Sequence, residues 1–447
     1  MNRSLSEYLP FGKAPTVILA VTILAAAYLA VNPVSEPDST LRLWTFARNH
    51  YLAYLQGTPS FEAAHPGTRL EIQLVHGDAV SRRLRAAFWA DLDVPDLVEV
   101  GIDRAASFFR GPVDDVGFID LTPYLEASGF GERLVQTRLA PYRNRGKIFG
   151  IPHDVHPVML AYRRDIFEAE GIDPESLQTW DDFIEVARRI TVPGERYMME
   201  LNDAKADEFS VFLYQRGGGL FDVDGKLTMD ADIVLETLLW FTPLASGPDR
   251  IGTSLGSTKI LTQAIESGYF VTLLCPDWRT KLLEIDVPRM SGKMALMPLP
   301  AFEPGGRRTS VRGGTMLGIT KATPDKDLAW AVAEHMYLDS EQLAARFQET
   351  NILPPLRDAW LLPAFAERRP YWSNQPLGKL YADIADDTPP WYTSPFIEKA
   401  IEKMGQVVAA CGRYYRENGE AGLREFARQR LHAAATEVRR HVERNPF

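Results

Sequence analysis

Cysteine is scarce: Cys275 and Cys411 are the two in a chain of 447 residues, far apart and with no Cys or His beside them at metal-ligand spacing. A disulfide between them is possible but not implied. Glycine and proline, at 32 and 31 residues, are too few for a fibrous or disordered chain, and hydrophobic residues make up 45% of the total, as in an ordinary globular protein. Positive charge is in deficit, with a net charge of -10, which argues against a surface that tracks nucleic-acid phosphates. The one dense basic stretch, Arg424 to Arg440, is interleaved with Leu423, Ala427, Leu431, Ala434 and Val438 at helical spacing and reads as the solvated face of a C-terminal helix. Internal repeats and long low-complexity tracts are missing, so a solenoid is not expected.

One long hydrophobic run is present. Arg3 and Lys13 precede an uninterrupted apolar stretch from Pro15 to Val31. It reads as an export signal, short for a spanning helix and long for a signal-peptide core, so an anchored and a cleaved form both stay open. Positive charge ahead of it puts the chain beyond Val31 outside the cytoplasm, which gives a periplasmic or otherwise extracytoplasmic location. No Cys comes after it to carry a lipid anchor, and residues 32 to 40 form a polar spacer.

The remaining length is too great for one hydrophobic core, so two lobes are expected. Leu41-Arg42-Leu43-Trp44, Arg69 to Val75 and Pro95 to Val100 read as three strands separated by helix-length segments, the mark of parallel βαβ units. Ligands bind beyond the carboxyl ends of such strands, so the loops after Trp44, Val75 and Val100, the second of which carries Asp78, are the places to look. Thr179-Trp180-Asp181-Asp182 is a helix start with Thr179 as cap, Phe270 to Leu274 is a buried strand, and Thr323-Pro324 opens a helix that turns Leu328, Val332 and Met336 inward.

Four segments carry a resemblance. They are Pro95 to Arg104; Gly146 to Asp154 running on through Tyr162 to Phe167 and Thr179 to Phe183; Gly217 to Asp222 with Asp224-Gly225-Lys226; and Gly313 to Ile319 with Ala329-Trp330 and Leu353 to Arg357. In this order and spacing the chain resembles the extracytoplasmic solute-binding proteins of bacterial ABC importers, the family that includes the maltose-binding protein. The resemblance implies an α/β, two-lobed periplasmic binding protein fold of type II, each lobe a mostly parallel sheet flanked by helices, closing about a hinge. Residues 1–39 would be the signal or anchor and spacer, 40–152 plus 319–353 the N-terminal lobe, and 153–318 plus 354–447 the C-terminal lobe. It further implies a carbohydrate solute, delivery to the transmembrane subunits of an ABC permease, a monomer, and no catalysis, cofactor or metal.

Asp103-Arg104 stands at the offset after the third strand where the maltose-binding protein carries an Asp-Arg pair. A carboxylate beside a five-donor guanidinium satisfies the paired donor and acceptor needs of vicinal sugar hydroxyls, although a loop salt bridge would look the same. His153, Asp154 and His156 come just after the first expected crossing, as solute contacts or as parts of the hinge; a metal on the two histidines lacks a third ligand. Trp44, Arg48 and His50 fall in or after the first loop, Trp278 and Arg279 come after the Phe270 strand, and Trp391 after a Pro pair. Sugar rings stack their C–H faces on aromatics, but buried packing explains any single Trp equally well. Gly313 and Gly314 permit either close backbone approach to a solute or a plain turn. Arg48, Arg104 and Arg279 keep an acidic or phosphorylated solute open. Gly252 to Gly256 fits the nucleophile-elbow pattern, but loop-like residues precede it and the match reads as accidental. Two other readings compete: a secreted glycoside hydrolase using cleft carboxylates such as Asp103 and Asp154, and a solute receptor for a membrane sensor.

Overall fold

The computed structural model describes residues 13–31, 37–90, 92–255 and 258–444. Most of the polar spacer at 32–36, and Gly256 of the elbow-like pattern, lie outside them. The apolar segment forms a helix, Lys13–Val31, whose Val17, Ile18, Leu19, Val21, Ile23 and Leu24 are exposed. Among the described residues no helix is long and apolar enough to cross a membrane.

Two five-stranded sheets organise the rest. In chain order the strands are β1 (Ser39–Thr45), β2 (Thr68–Leu74), β3 (Leu97–Gly101), β4 (Ile151–Pro152), β5 (Val158–Arg163), β6 (Tyr197–Glu200), β7 (Gly252–Thr253), β8 (Phe270–Pro276), β9 (Met294–Pro298) and β10 (Thr315–Ile319). The first sheet runs β2-β1-β3-β10-β4 and the second β9-β5-β8-β6-β7. In each, one strand opposes the other four: β10 is antiparallel to both β3 and β4, and β5 to both β8 and β9. Those two are the strands by which the chain first enters a lobe from the other one. Helices cover both faces, so β5 and β8 are buried at every residue and read as unbroken apolar runs.

The three strands expected early in the sequence form β1, β2 and β3, with β1 and β2 in parallel register from Ser39↔Thr68 to Thr45↔Leu74. The helix Trp180–Ile190 starts on a reciprocal capping box between Thr179 and Asp182, and the C-terminal helix Leu423–Glu443 buries Leu423, Ala427, Leu431, Ala434 and Val438 as its spacing predicts. Two details differ. The helix expected to open at Thr323 begins at Lys326, capped by Asp325, whose carboxylate accepts from the Leu328 N–H, while Thr323 is buried. The strand Thr315–Ile319, expected to end in the C-terminal lobe at 318, lies in the first sheet, where its apolar side chains are buried between β3 and β4, so the chain crosses before residue 315.

The chain passes between the sheets at residues 153–157, at 299–314 and again near Leu353. These crossings are bonded to one another. The Val155 N–H donates to the Leu353 carbonyl at 3.0 Å, His153 N–H to the Thr315 carbonyl at 2.8 Å, and Pro157 bridges Val311. Cys275 and Cys411 are free and buried, and burial pushes both thiols up to about 12.

Candidate functional site

A cavity of about 310 Å³ opens at the carboxyl ends of β1, β2 and β3, lined by Phe46, His76, Gly77, Asp78, Val80, Ser81, Glu99, Val100, Gly101, Asp103 and Arg104. All three loops singled out from the sequence contribute to it. Arg104 organises its polar wall: its guanidinium reaches Asp78 Oδ1 at 2.5 Å and Asp103 Oδ2 at 3.3 Å. Both carboxylates are about half exposed. The protein packed around the Asp103 carboxyl partly desolvates it and raises it despite the pull of Arg104, whereas the bond from Arg104 lowers that of Asp78. The cluster has two carboxylates to one guanidinium, so Arg104 is matched by more than its own charge. Phe46 and His76 add rings to a wall that Val80 and Val100 make largely apolar. Neither was singled out from the sequence, where an aromatic two residues beyond the end of a strand pattern looks like any other.

The structure brings Asp78, Asp103 and Arg104 together in the cavity and places the other candidates elsewhere. Trp44, read as the end of the first strand and also counted as a solute contact, is on β1 but 9% exposed, packed in an apolar cluster with Val80, Leu84, Val98 and Val100 because helices cover that face of the sheet. Arg48 is exposed at the first turn of the helix Arg48–Ala64. Arg279 is buried and paired with Glu200 at 2.6 Å. Trp391, also buried, packs at a tilt against Tyr214 with ring centroids 5.0 Å apart, in the cluster that includes Ile102, Ala105 and Phe109 of the first lobe, so it lies where the lobes meet. Trp278 is half-buried, its indole N–H donating to the Arg312 carbonyl at 3.0 Å.

His50, His153, Asp154 and His156 belong to a buried polar core that shares Glu99 with the cavity, and the half-buried Gly313 and Gly314 border it. Glu99, on β3, accepts from Thr45 at 2.5 Å, from Tyr54 at 2.5 Å, from Tyr337 and from the His50 ring at 3.1 Å. Burial would raise the Glu99 carboxyl, yet the His50 ring and its hydrogen bond outweigh it and hold the group well below the usual carboxylate range. Asp154 meets Arg138 Nη2 at 3.1 Å and His156 Nε2 at 3.0 Å, and His156 Nδ1 meets Asp277 Oδ1 at 2.5 Å. Gly314 leaves no room for a side chain, since a Cβ there would stand 2.4 Å from Arg138 Nη2. Arg138, Tyr54, Tyr337 and Asp277 escaped the sequence reading because their partners are distant in sequence; Glu99 left a trace, as one carboxylate inside an apolar strand.

Among the described residues, His50, Glu99 and His153 are the group whose ligand atoms lie within 4.8 Å of one another. Their geometry does not suit a metal: the two rings stack, so their in-plane lone pairs run parallel instead of converging, and Glu99 is already saturated with donors. His156 is committed to two carboxylates. Asp154 is fully buried and does not line the cavity, so it is not one of the cleft carboxylates.

Two α/β lobes joined by bonded crossings, with a cavity that carries a charged cluster at the strands' carboxyl ends, give the fold of a type II periplasmic binding protein. The comparisons agree. The family model described as bacterial extracellular solute-binding protein matches residues 47–343, and the chain belongs to that family. It is 24% identical to the arabinooligosaccharide-binding protein of Bacillus subtilis (strain 168) over 404 residues, covering 88% of this chain and 92% of that one. It is also 24% identical to the lactose-binding protein of Rhizobium radiobacter over 328 residues, 71% of this chain and 75% of that one. The structure of the sugar-binding protein MalE from Xanthomonas citri superposes with a TM-score of 0.74 at 19% identity, over 90% of this chain and 99% of that one.

Proposed function

We propose that this protein is the solute receptor of an ABC importer, and that it binds a neutral carbohydrate between its lobes and delivers it to a membrane permease. The observation that carries this is the Asp78–Arg104–Asp103 cluster lining a cavity at the carboxyl ends of three parallel strands. Carboxylates and a guanidinium held side by side present acceptors and donors at the spacing of neighbouring hydroxyls. Neutrality of the solute comes from the pairing of the candidate cations. Arg104 faces two carboxylates, Arg279 is taken by Glu200, and Arg48 does not line the cavity, so none of these three guanidinium groups stands unshared at the cavity for a carboxylate or phosphate. Relatives named for arabinooligosaccharides and lactose support the carbohydrate class.

In this reading the protein performs no catalysis. The apolar segment before residue 32 directs or tethers it outside the cytoplasm as a monomer, and solute binding shifts an open population toward a closed one that docks on the permease. The N-terminal lobe comprises residues 40–152 and 315–353, and the C-terminal lobe the segments between and after them.

A thermal-shift screen of the full chain against arabino-oligosaccharides, galactosides, sugar acids and sugar phosphates tests this. A solute at a hundredfold excess over its Kd adds about 2.7 kcal/mol. A selective shift with neutral sugars that Asp103→Ala removes supports the proposal; a shift confined to sugar acids or phosphates overturns the solute class, and sustained hydrolysis of any glycoside overturns the receptor reading.

A further inference from the structure

One histidine stands among all three crossings. His156 lies on the first crossing with φ 54°, a left-handed backbone that residues with a Cβ rarely adopt. Its ring is 4% exposed and reaches two carboxylates, Asp154 on its own crossing and Asp277 at the start of the second-lobe helix Asp277–Asp286. Each carboxylate passes the connection on. Asp154 is held by Arg138 of the first lobe, whose guanidinium also donates to the Gly313 carbonyl on the second crossing at 3.0 Å. The other oxygen of Asp277 accepts the Leu353 N–H on the third crossing at 2.8 Å. Gly313, with φ 95°, lets this ring in: a Cβ there would stand 3.2 Å from the imidazole.

The chemistry of the ring decides what it can hold. A neutral imidazole has one N–H, while an imidazolium has two, one for each carboxylate. The other groups facing the site are the titratable ring of His153, whose Nδ1 is 3.5 Å from Asp154 Oδ2, and the charged Arg138 behind Asp154; Arg312 offers its backbone here and turns its guanidinium to Glu208 at 2.8 Å. Arg138 serves Asp154, so loss of the His156 proton strips Asp277 of its cation and leaves two buried carboxylates facing each other across a neutral ring.

We propose that His156 is a positioning residue for solute capture: as an imidazolium tying Asp154 to Asp277 it fixes the angle at which the lobes meet, so that solute affinity follows its proton. This rests on the reading of the cleft as a solute site, but the lobe angle can be read without any solute.

The test is the distance between spin labels on the two lobes, at Glu126→Cys in the first and Arg188→Cys in the second, measured by pulsed electron resonance in the solute-free full chain from about pH 6 to about pH 10. Alongside it, affinity for the neutral sugar found by thermal shift is titrated over the same range. The expected result is a reversible change in the distance distribution toward the alkaline end, an affinity falling at least about tenfold, and a His156→Gln protein that shows the alkaline distribution and weak affinity at every pH. Distances and affinity that stay constant across the range in the parent protein overturn the proposal, as does a His156→Gln protein that keeps the parent's pH profile. If His156→Gln does not fold, the parent's pH series and Asp277→Asn decide the matter in the same way. A pH-dependent distance without any sugar binding upholds the hinge role and overturns the solute reading instead.

Discussion

His50 and His153 stack face to face, with ring centroids 3.8 Å apart and planes inclined by 19°. One belongs to the helix after β1 and the other to the first crossing, so the contact joins the floor of the first lobe to the hinge. Glu99 anchors one ring, and Arg346, which donates to the His153 carbonyl at 2.9 Å, fixes the backbone of the other. Burial first, and then the nearby Arg346 charge, push the His153 ring well below its ordinary pKa, so it stacks as a neutral base.

His153 and His156, three residues apart, therefore bound stability on opposite sides. Burial works to strip His156 of its proton, but Asp154 and Asp277 outweigh it and hold the ring at about 9. Against an unfolded value of about 6.5, that contribution is complete below pH 6.5 and is lost as pH rises through 9, on the order of 3 kcal/mol in all. His153 behaves in reverse, since the unfolded chain gains its proton below about pH 6.5 and the folded protein does not, so stability falls as pH drops. Thermal unfolding measured against pH is expected to give a maximum near pH 6.5, and His156→Gln to flatten the alkaline limb. A single slope across that range would contradict both assignments.

Removing Arg138 leaves Asp154 buried beside His156 and the neutral ring of His153, without its guanidinium. Arg138→Ala is expected to destabilise by about 3–5 kcal/mol, as for other broken buried pairs, measured by denaturant unfolding. Asp154→Asn in the Arg138→Ala background is expected to recover part of that loss.

Much of the fold was legible in the sequence, and the reason is local. The capping box at Thr179, the apolar stripe from Leu423 to Val438 and the three early strands are written in residues near one another. Asp103 and Arg104 could be placed because strand ends define where cavities open. Trp44 failed as a solute contact because its face of β1 is covered by the helix Gly77–Ala90, which the chain reaches only after β2. The buried polar cluster was legible only in fragments. His153, Asp154 and His156 stand together in sequence, but Arg138, Asp277 and Leu353 join them only when three distant crossings meet.

Glu99 collects donors from Thr45, His50, Tyr54 and Tyr337 in full burial. Glu99→Gln supplies an amide that must donate where only donors point, and is expected to cost about 2–4 kcal/mol, read as a lower midpoint in urea. Glu99→Leu, which removes the conflict but strands four polar groups, should be no better.

In the cavity, Asp103→Ala and Arg104→Ala are each expected to weaken sugar binding about ten- to a hundredfold, because charge-assisted bonds contribute about 1.5–3 kcal/mol. Calorimetric titration reads this directly. Asp78→Asn, which frees part of the Arg104 charge, should raise affinity for a sugar acid relative to the neutral sugar.

Both thiols are buried and held near 12, so neither is expected to react with a disulfide reagent at neutral pH until the protein unfolds. Reducing agent should leave the melting temperature unchanged.

The position of β10 governs the order in which this molecule can be built. It lies between β3 and β4 in the first sheet, yet it comes after them by more than the whole second sheet in the chain. Until residue 319 has been made, both neighbours carry open edges and β4 has no partner in the first sheet. The amino-terminal half of the chain must therefore wait, unfinished, while the strands of the other lobe are synthesised. A lobe cut from the sequence as one continuous stretch would not be a lobe at all.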